Sequence, residues 1–315
     1  MATLSPSWKR RWRKRFTAAV RPKSRTWNRP QGTRQGTGTQ VQPERQRIFN
    51  VPAVIVALVG LLLGVHLLRQ ILPLEQNIWT LIHFSFVPGR FTYAFDPGRI
   101  AKVIAATQNA DPMQAEIDRA FLNGGTPLWW TPITYALLHA NWAHVGFNAL
   151  WLAAFGAPVA RRFGNQRFIA FCIGGAIAGA LAHLLTHLND LQPVIGASAI
   201  DSATMAAAIR FIFQPGAPLG ASLGWGDPRQ ERAPHAQPAL PLWAVFTDSR
   251  AMTFLIFWFA TNFIFGLVSG PANVGGGSVA WQAHVGGFLF GLLAFSLFDP
   301  PQAAPHNDIA AAAKD

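Results

Sequence analysis

The sequence predicts an all-α polytopic membrane protein, one bundle of six transmembrane helices, and three observations carry the prediction. Half of the residues are hydrophobic and only 13% are charged, about half the charge of an average soluble domain. Six apolar segments, at about 48–71, 133–160, 168–188, 195–213, 251–268 and 279–298, reach or approach the roughly 20 residues that cross a bilayer. Basic residues alternate between the connections in the way such a bundle requires. A mean hydropathy of only +0.22 leaves room for substantial loops, and no 20–50-residue period suggests a solenoid.

The elements follow in order. Residues 1–47 form a basic tail that holds 13 of the 26 Lys and Arg, so the N-terminus is expected to be cytoplasmic. Within it Trp8, Trp12 and Phe16 recur at helical spacing among lysines and arginines. That pattern fits a topology signal touching anionic lipid better than a transit peptide or a nucleic-acid site, so nucleic acid is not an expected partner. Residues 48–298 form the membrane domain and 299–315 a C-terminal tail. The first loop, about 73–128, is external, and its "NIWTLIHFSFVPGRF" has the aromatic content of an interfacial segment. The second segment exceeds one crossing, so "ITYALLHANW" reads as a lead-in near the interface. "RRFGNQR" and the Arg210–Arg250 region fall inside, whereas 189–194 and 269–278, free of Lys and Arg, fall outside. Cys172, the lone cysteine, reads as a small core residue.

Polar residues inside a membrane are costly and face the bundle interior or a wet cavity. In a six-span topology the second, fourth and sixth spans run from outside to inside. His139, His144 and Asn148 then lie near the outer end of the second, Ser198 near that of the fourth and His284 near that of the sixth. Five polar residues from distant parts of the chain thereby share one depth. Small residues at spacings of three or four let the fourth and sixth spans approach: Gly196, Ala199, Ala203 and Ala206 on one, Gly287 and Gly291 on the other. A serine and a histidine on facing helices can form a nucleophile and base. His144 and Asn148, at i and i+4, can aim donors at a developing oxyanion beside the Ser198 N–H.

Each residue also has a plainer reading. A serine in a span is commonly a packing or back-bonding residue, and Asn148 alone would be interhelical glue. His66, His183 and His187 read as satisfied polar contacts. A channel or transporter could use the histidines as a proton path, although no inverted repeat is visible. A zinc hydrolase is disfavoured, because His-x4-His is not His-Glu-x-x-His and no carboxylate adjoins it. No metal or cofactor is called for.

Three motifs resemble the rhomboid intramembrane serine proteases: His-x4-His-x3-Asn at His139, His144 and Asn148; Gly-x-Ser at Gly196 and Ser198; and Ala-His-x-x-Gly at Ala283, His284 and Gly287. The resemblance covers all six spans. It implies Ser198 as nucleophile, His284 as its base, His144 and Asn148 in the oxyanion hole, and His139 in a supporting role. Substrates would be single-span membrane proteins cut near their outer ends, within a lipid bilayer expected to be a bacterial inner membrane. A proteolytically inactive relative that binds membrane clients is the alternative. The oligomeric state has no signal in the sequence.

The chain departs from the family pattern at several positions. Ala199 stands where the family usually has glycine, and Ala203 and Ala206 where it often does; a methyl at each site can widen the helix contact. Ser202 stands where an aromatic residue often stacks on the base. Trp129, Trp130 and Thr131 replace a Trp-Arg pair, removing the arginine of a loop salt bridge. Asp201 lies outside the pattern and has two readings: a polar group facing a wet cavity, or an acid that steers an imidazole as in a soluble triad. The connection "VSGPANVGGGSVAW" reads equally as a gate over the site or an ordinary turn. The Gln214–Asp248 loop has no functional reading.

Overall fold

The computed structural model describes residues 51–213, 238–268 and 280–300. The basic tail, most of the Gln214–Asp248 loop, the candidate gate at 269–279 and the stretch 301–315 lie outside the described residues. Within those described, the chain is helical, with a single isolated antiparallel bridge between Phe86 and Val194.

Helix α1 (Ala53–Ile71) starts after Pro52 and runs through an uninterrupted apolar stretch. Four short helices follow: α2 (Leu74–Phe84), α3 (Pro88–Phe95), α4 (Pro97–Ala110) and α5 (Pro112–Leu122). The last three begin with proline at the first helical position, where its fixed φ and missing N–H cost nothing. Asp96 and Asp111 cap α4 and α5 by accepting from the N–H groups of Arg99 (3.0 Å) and Gln114 (3.1 Å).

Helix α6 (Trp142–Phe163) starts at Asn141, whose side chain accepts from the His144 N–H at 2.9 Å. The long helix of the second segment thus begins where the expected lead-in "ITYALLHANW" ends. Short turns at Thr131–Thr134 and Tyr135–Leu137 lead into it. Residues 152–156 form a π-helical turn just before Pro158. A proline inside a helix removes an N–H and crowds the preceding turn, and a widened turn accommodates it.

Helices α7 (Asn165–Thr186), α8 (Ser198–Ile209), α9 (Ser249–Val268) and α10 (Trp281–Leu293) complete the bundle. Among the described residues three helices, α1, α6 and α7, are long and apolar enough to cross a membrane. The fourth apolar segment differs from expectation: α8 has only 12 residues, about 18 Å at 1.5 Å per residue, because 193–197 enters as non-helical chain and 210–213 leaves as turn.

Helix α8 sits at the centre. It is buried continuously from Asp201 to Ile209, polar Asp201, Ser202 and Thr204 included. The methyls of Ala199 and Ala203 do not hold α10 away. A Cβ placed on Gly287 would lie 2.1 Å from the Ala199 carbonyl oxygen, and one on Gly291 would lie 2.2 Å from that of Ala203, so the backbones touch. The methyls turn toward α7, where Cβ atoms on Gly179 and Gly175 would come within 2.5 and 2.9 Å of them. Glycines on a third helix therefore receive the extra carbons. On the outer surface Leu61 and Leu67 of α1 and Phe257 and Phe263 of α9 are exposed, as lipid-facing side chains are.

Candidate active site

The chain approaching Ser198 is strapped at three points. Val194 and Phe86 exchange backbone hydrogen bonds of 3.1 and 2.8 Å, and the Gly196 N–H donates to the Tyr135 carbonyl at 3.0 Å. The Ala197 N–H meets the Asn148 side chain at 3.1 Å. Gly196 has φ +121°, a backbone conformation that side chains rarely adopt. The His144 imidazole presses on the same residue: a Cβ on Gly196 would lie 2.7 Å from His144 Nε2. Ser198 then opens α8. An N–H at the first helical position has no acceptor within its own helix and carries the positive end of the dipole.

His144 and His139 pack edge to face, 4.9 Å between centroids. The Ala140 N–H points at His144 Nδ1 at 3.4 Å, which assigns the ring proton to Nε2, the nitrogen facing Gly196. His139 is fully buried, and its carbonyl accepts from Arg69 Nη1 at 2.9 Å. Asn148 satisfies its surroundings in one amide orientation only. Its nitrogen donates to Asp201 Oδ2 (3.1 Å), and its oxygen accepts from His139 Nε2 (2.9 Å) and the Ala197 N–H (3.1 Å).

Asp201 is 3% exposed, and its second oxygen, Oδ1, has no hydrogen-bond partner. The carboxyl therefore meets the Asn148 amide rather than the imidazole of His284. Ser202, buried, donates its hydroxyl back to the Ser198 carbonyl at 2.7 Å, an ordinary helical back-bond. It offers no aromatic face to the His284 ring.

His284 lies one turn before Gly287, the residue seated on the Ala199 backbone. The structure thus sets the helix start carrying Ser198 against the helix carrying His284. Among the described residues no hydrogen bond joins the two side chains, which is common in sites without substrate. The His284 ring instead engages Asn262 of α9, with Nδ1 2.5 Å from its Oδ1. Asn262 is the residue sequence reasoning passed over. Its signal was an amide inside the apolar run "FWFATNFIFG", the kind of intramembrane polar group that marked the other five.

The other histidines divide. His183 was expected to be a satisfied contact, yet neither of its ring nitrogens has a hydrogen-bond partner; it stacks on His187 at 4.5 Å, with Asp190 Oδ2 3.7 Å away. His66 packs its ring against Trp142, 4.6 Å between centroids, with Nδ1 unpartnered. Without the loop arginine, Trp130 Nε1 donates to the His83 carbonyl (2.8 Å) and Thr134 Oγ1 to that of Phe84 (2.9 Å). Those bonds fasten α2 to the start of the second segment. Among the described residues no group of three or more His, Cys, Asp or Glu is placed to hold a metal ion.

The chain matches the Rhomboid domain over residues 127–299, more than half its length. Two relatives, both from Bacillus subtilis (strain 168), are similar over shorter stretches. The rhomboid protease GluP is 37% identical over 54 residues, 17% of this chain and 11% of that protein. YdcA, whose name describes it as a candidate rhomboid protease, is 33% identical over 72 residues, 23% of this chain and 36% of its own. The aligned stretches thus span well under two thirds of either relative.

Proposed function

Because the chain belongs to the rhomboid family, we propose that it is an intramembrane serine protease that cuts transmembrane protein substrates near the outer face of a bacterial inner membrane. In this reading residues 48–298 cross the membrane six times. Residues 1–47 lie in the cytoplasm as a basic tail, and 299–315 follow the last span on the same side.

His284 takes the Ser198 hydroxyl proton at Nε2 while Oγ attacks the scissile carbonyl carbon. The resulting oxyanion is held by the Ser198 N–H, by His144 Nε2–H and by the Asn148 amide hydrogen not given to Asp201. The C–N bond then breaks, the leaving amine takes the proton from His284, and water hydrolyses the acyl ester by the same route. Gly196 admits the turn before Ser198 and Gly287 lets α10 reach it. His139 and Asp201 hold Asn148 from two sides, so the part for Asp201 is to orient a donor rather than to steer an imidazole.

The observation that carries the reading is the strapped turn 194–197, which delivers Ser198 at a helix start with the His144 ring against Gly196. The competing reading, an inactive client-binding protein, draws on the missing Ser198–His284 hydrogen bond and on Ser202. A fluorophosphonate probe on the purified protein in detergent or lipid separates them. Wild type is expected to label, and Ser198→Ala and His284→Ala are expected not to. No wild-type labelling, under conditions that label an active relative, would overturn the protease reading.

A further inference from the structure

We propose that Asn262 is the positioning residue for His284, an amide standing where a soluble triad keeps its acid; the inference rests on the protease reading above. The geometry is two-sided. Asn262 Nδ2 donates to the Trp258 carbonyl one turn back on α9, at 2.9 Å, which fixes the amide orientation and turns Oδ1 outward. That oxygen lies 2.5 Å from His284 Nδ1. An amide oxygen only accepts, so the imidazole proton resides on Nδ1 and the lone pair on Nε2. Nε2 is the nitrogen that must be unprotonated to act as base toward Ser198.

A second contact sets the register between the two helices. Trp258 stacks on Phe288, 4.5 Å between centroids, one turn from the Asn262–His284 pair on each helix. Antiparallel α9 and α10 thus carry two successive rungs, one apolar and one polar, and the apolar rung holds the polar one in place. The titratable neighbour of the His284 ring is His144 of α6, and α7 and α8 approach α10 through Gly179, Ala199 and Ala203. Among the described residues the hydrogen bond to the His284 ring comes from α9. An amide does this without a buried anion, which inside a membrane would carry a large desolvation cost. The arrangement has the logic of Cys-His-Asn sites, in which an asparagine orients the histidine of a nucleophile–base pair.

The test compares Asn262→Leu, which keeps the volume and removes the acceptor, with Asn262→Asp, which keeps the acceptor. Peptide-cleavage kinetics on a transmembrane substrate, probe labelling and thermal unfolding in the same detergent are read together, with Ser198→Ala and His284→Ala as controls. Asn262→Leu is expected to lower kcat by roughly 10–100-fold, the usual range for losing a group that orients a functional histidine, with KM within about twofold. Asn262→Asp is expected to recover most of that loss and to move the acidic limb of the kcat–pH profile upward, because a carboxylate stabilises imidazolium. A structural role would predict activity that follows the melting temperature in both variants. The inference alone is overturned if the controls lose labelling while Asn262→Leu keeps wild-type kcat, or if Asn262→Asp fails at unchanged stability. His284→Ala with full labelling would overturn the protease reading and this inference with it.

Discussion

Ala199 shows how one methyl can be read correctly as a departure and wrongly as a consequence. From the sequence it stands between two helices that must touch, and an extra carbon there ought to separate them. In the fold its methyl points to Gly179 of α7, while Gly287 rests on its backbone. The pair is complementary, so a methyl on each side is one too many. Gly179→Ala is expected to cost about 1–3 kcal/mol by overpacking and to lower the melting temperature in detergent. Adding Ala199→Gly to it is expected to restore part of the loss, since a Cβ at Gly179 would also lie 2.9 Å from the Ala283 carbonyl oxygen and 3.0 Å from the Tyr135 hydroxyl, and a double variant no better than the single one would refute this fit. Asn148 is a similar case: its place in the motif was plain, but its amide orientation follows from Asp201, Ala197 and His139 together, residues up to 62 positions apart in the chain.

The outer helices α3–α5 and the 186–194 connection form an element of their own, cored by Val87, Ile100, Leu122 and Leu191. Gly89 N–H donates to the Asp190 carbonyl at 2.7 Å and Thr92 Oγ1 to that of Leu188 at 2.5 Å, so the loop is stitched to the end of α7. Arg90 is fully buried with Nε donating to the Phe121 carbonyl at 2.5 Å, and burial depresses its guanidinium to about 10. Asp118 is also buried there. Burial raises its carboxyl above the ordinary 3.8, with Asp190 adding to the shift and a hydrogen bond from Gln114 Nε2 (2.8 Å) opposing it. As pH rises above 3.8 through the raised value, the unfolded chain has released this proton while the folded loop still holds it. The contribution of Asp118 to stability therefore falls across that window and stays low at neutral pH. Asp118→Asn is expected to remove this pH dependence and to slow hydrogen exchange of α5 at pH 7. Faster exchange in the variant at pH 7 would contradict the sign.

Across the molecule the end of α6 is tied to the chain after α10 by a bidentate pair. Arg162, near the end of α6, places Nε 2.6 Å from Asp299 Oδ1 and Nη2 2.8 Å from Oδ2, with its guanidinium over the rings of Phe211 (4.9 Å) and Phe295 (5.4 Å). The Arg162 side chain is 1% exposed and that of Asp299 18%, so removing the carboxylate takes a bidentate partner from a buried guanidinium. Asp299→Ala is expected to destabilise, whereas the paired replacement Arg162→Leu with Asp299→Leu should recover part of the loss. Thermal unfolding in detergent reads both, and a near-silent Asp299→Ala would show that the pair holds nothing together.

The long apolar helices α1, α6 and α7 and the motif residues His139, His144, Asn148, Ser198 and His284 were legible in the chain, because hydropathy and motif spacing are properties of neighbours in sequence. The lead-in "ITYALLHANW" was legible too, and the long helix starts only where Asn141 caps it. Sequence reasoning gave the fourth segment more helix than it forms, because the strapping of 194–197 onto Phe86, Tyr135 and Asn148 overrides apolar content. Asn262 stayed hidden because its meaning depends on meeting His284 across two helices. The sequence named the candidate site residues. Which nitrogen of each ring is free, and which glycine receives which methyl, depend on distances between segments far apart in the chain, and those exist only once the helices have packed.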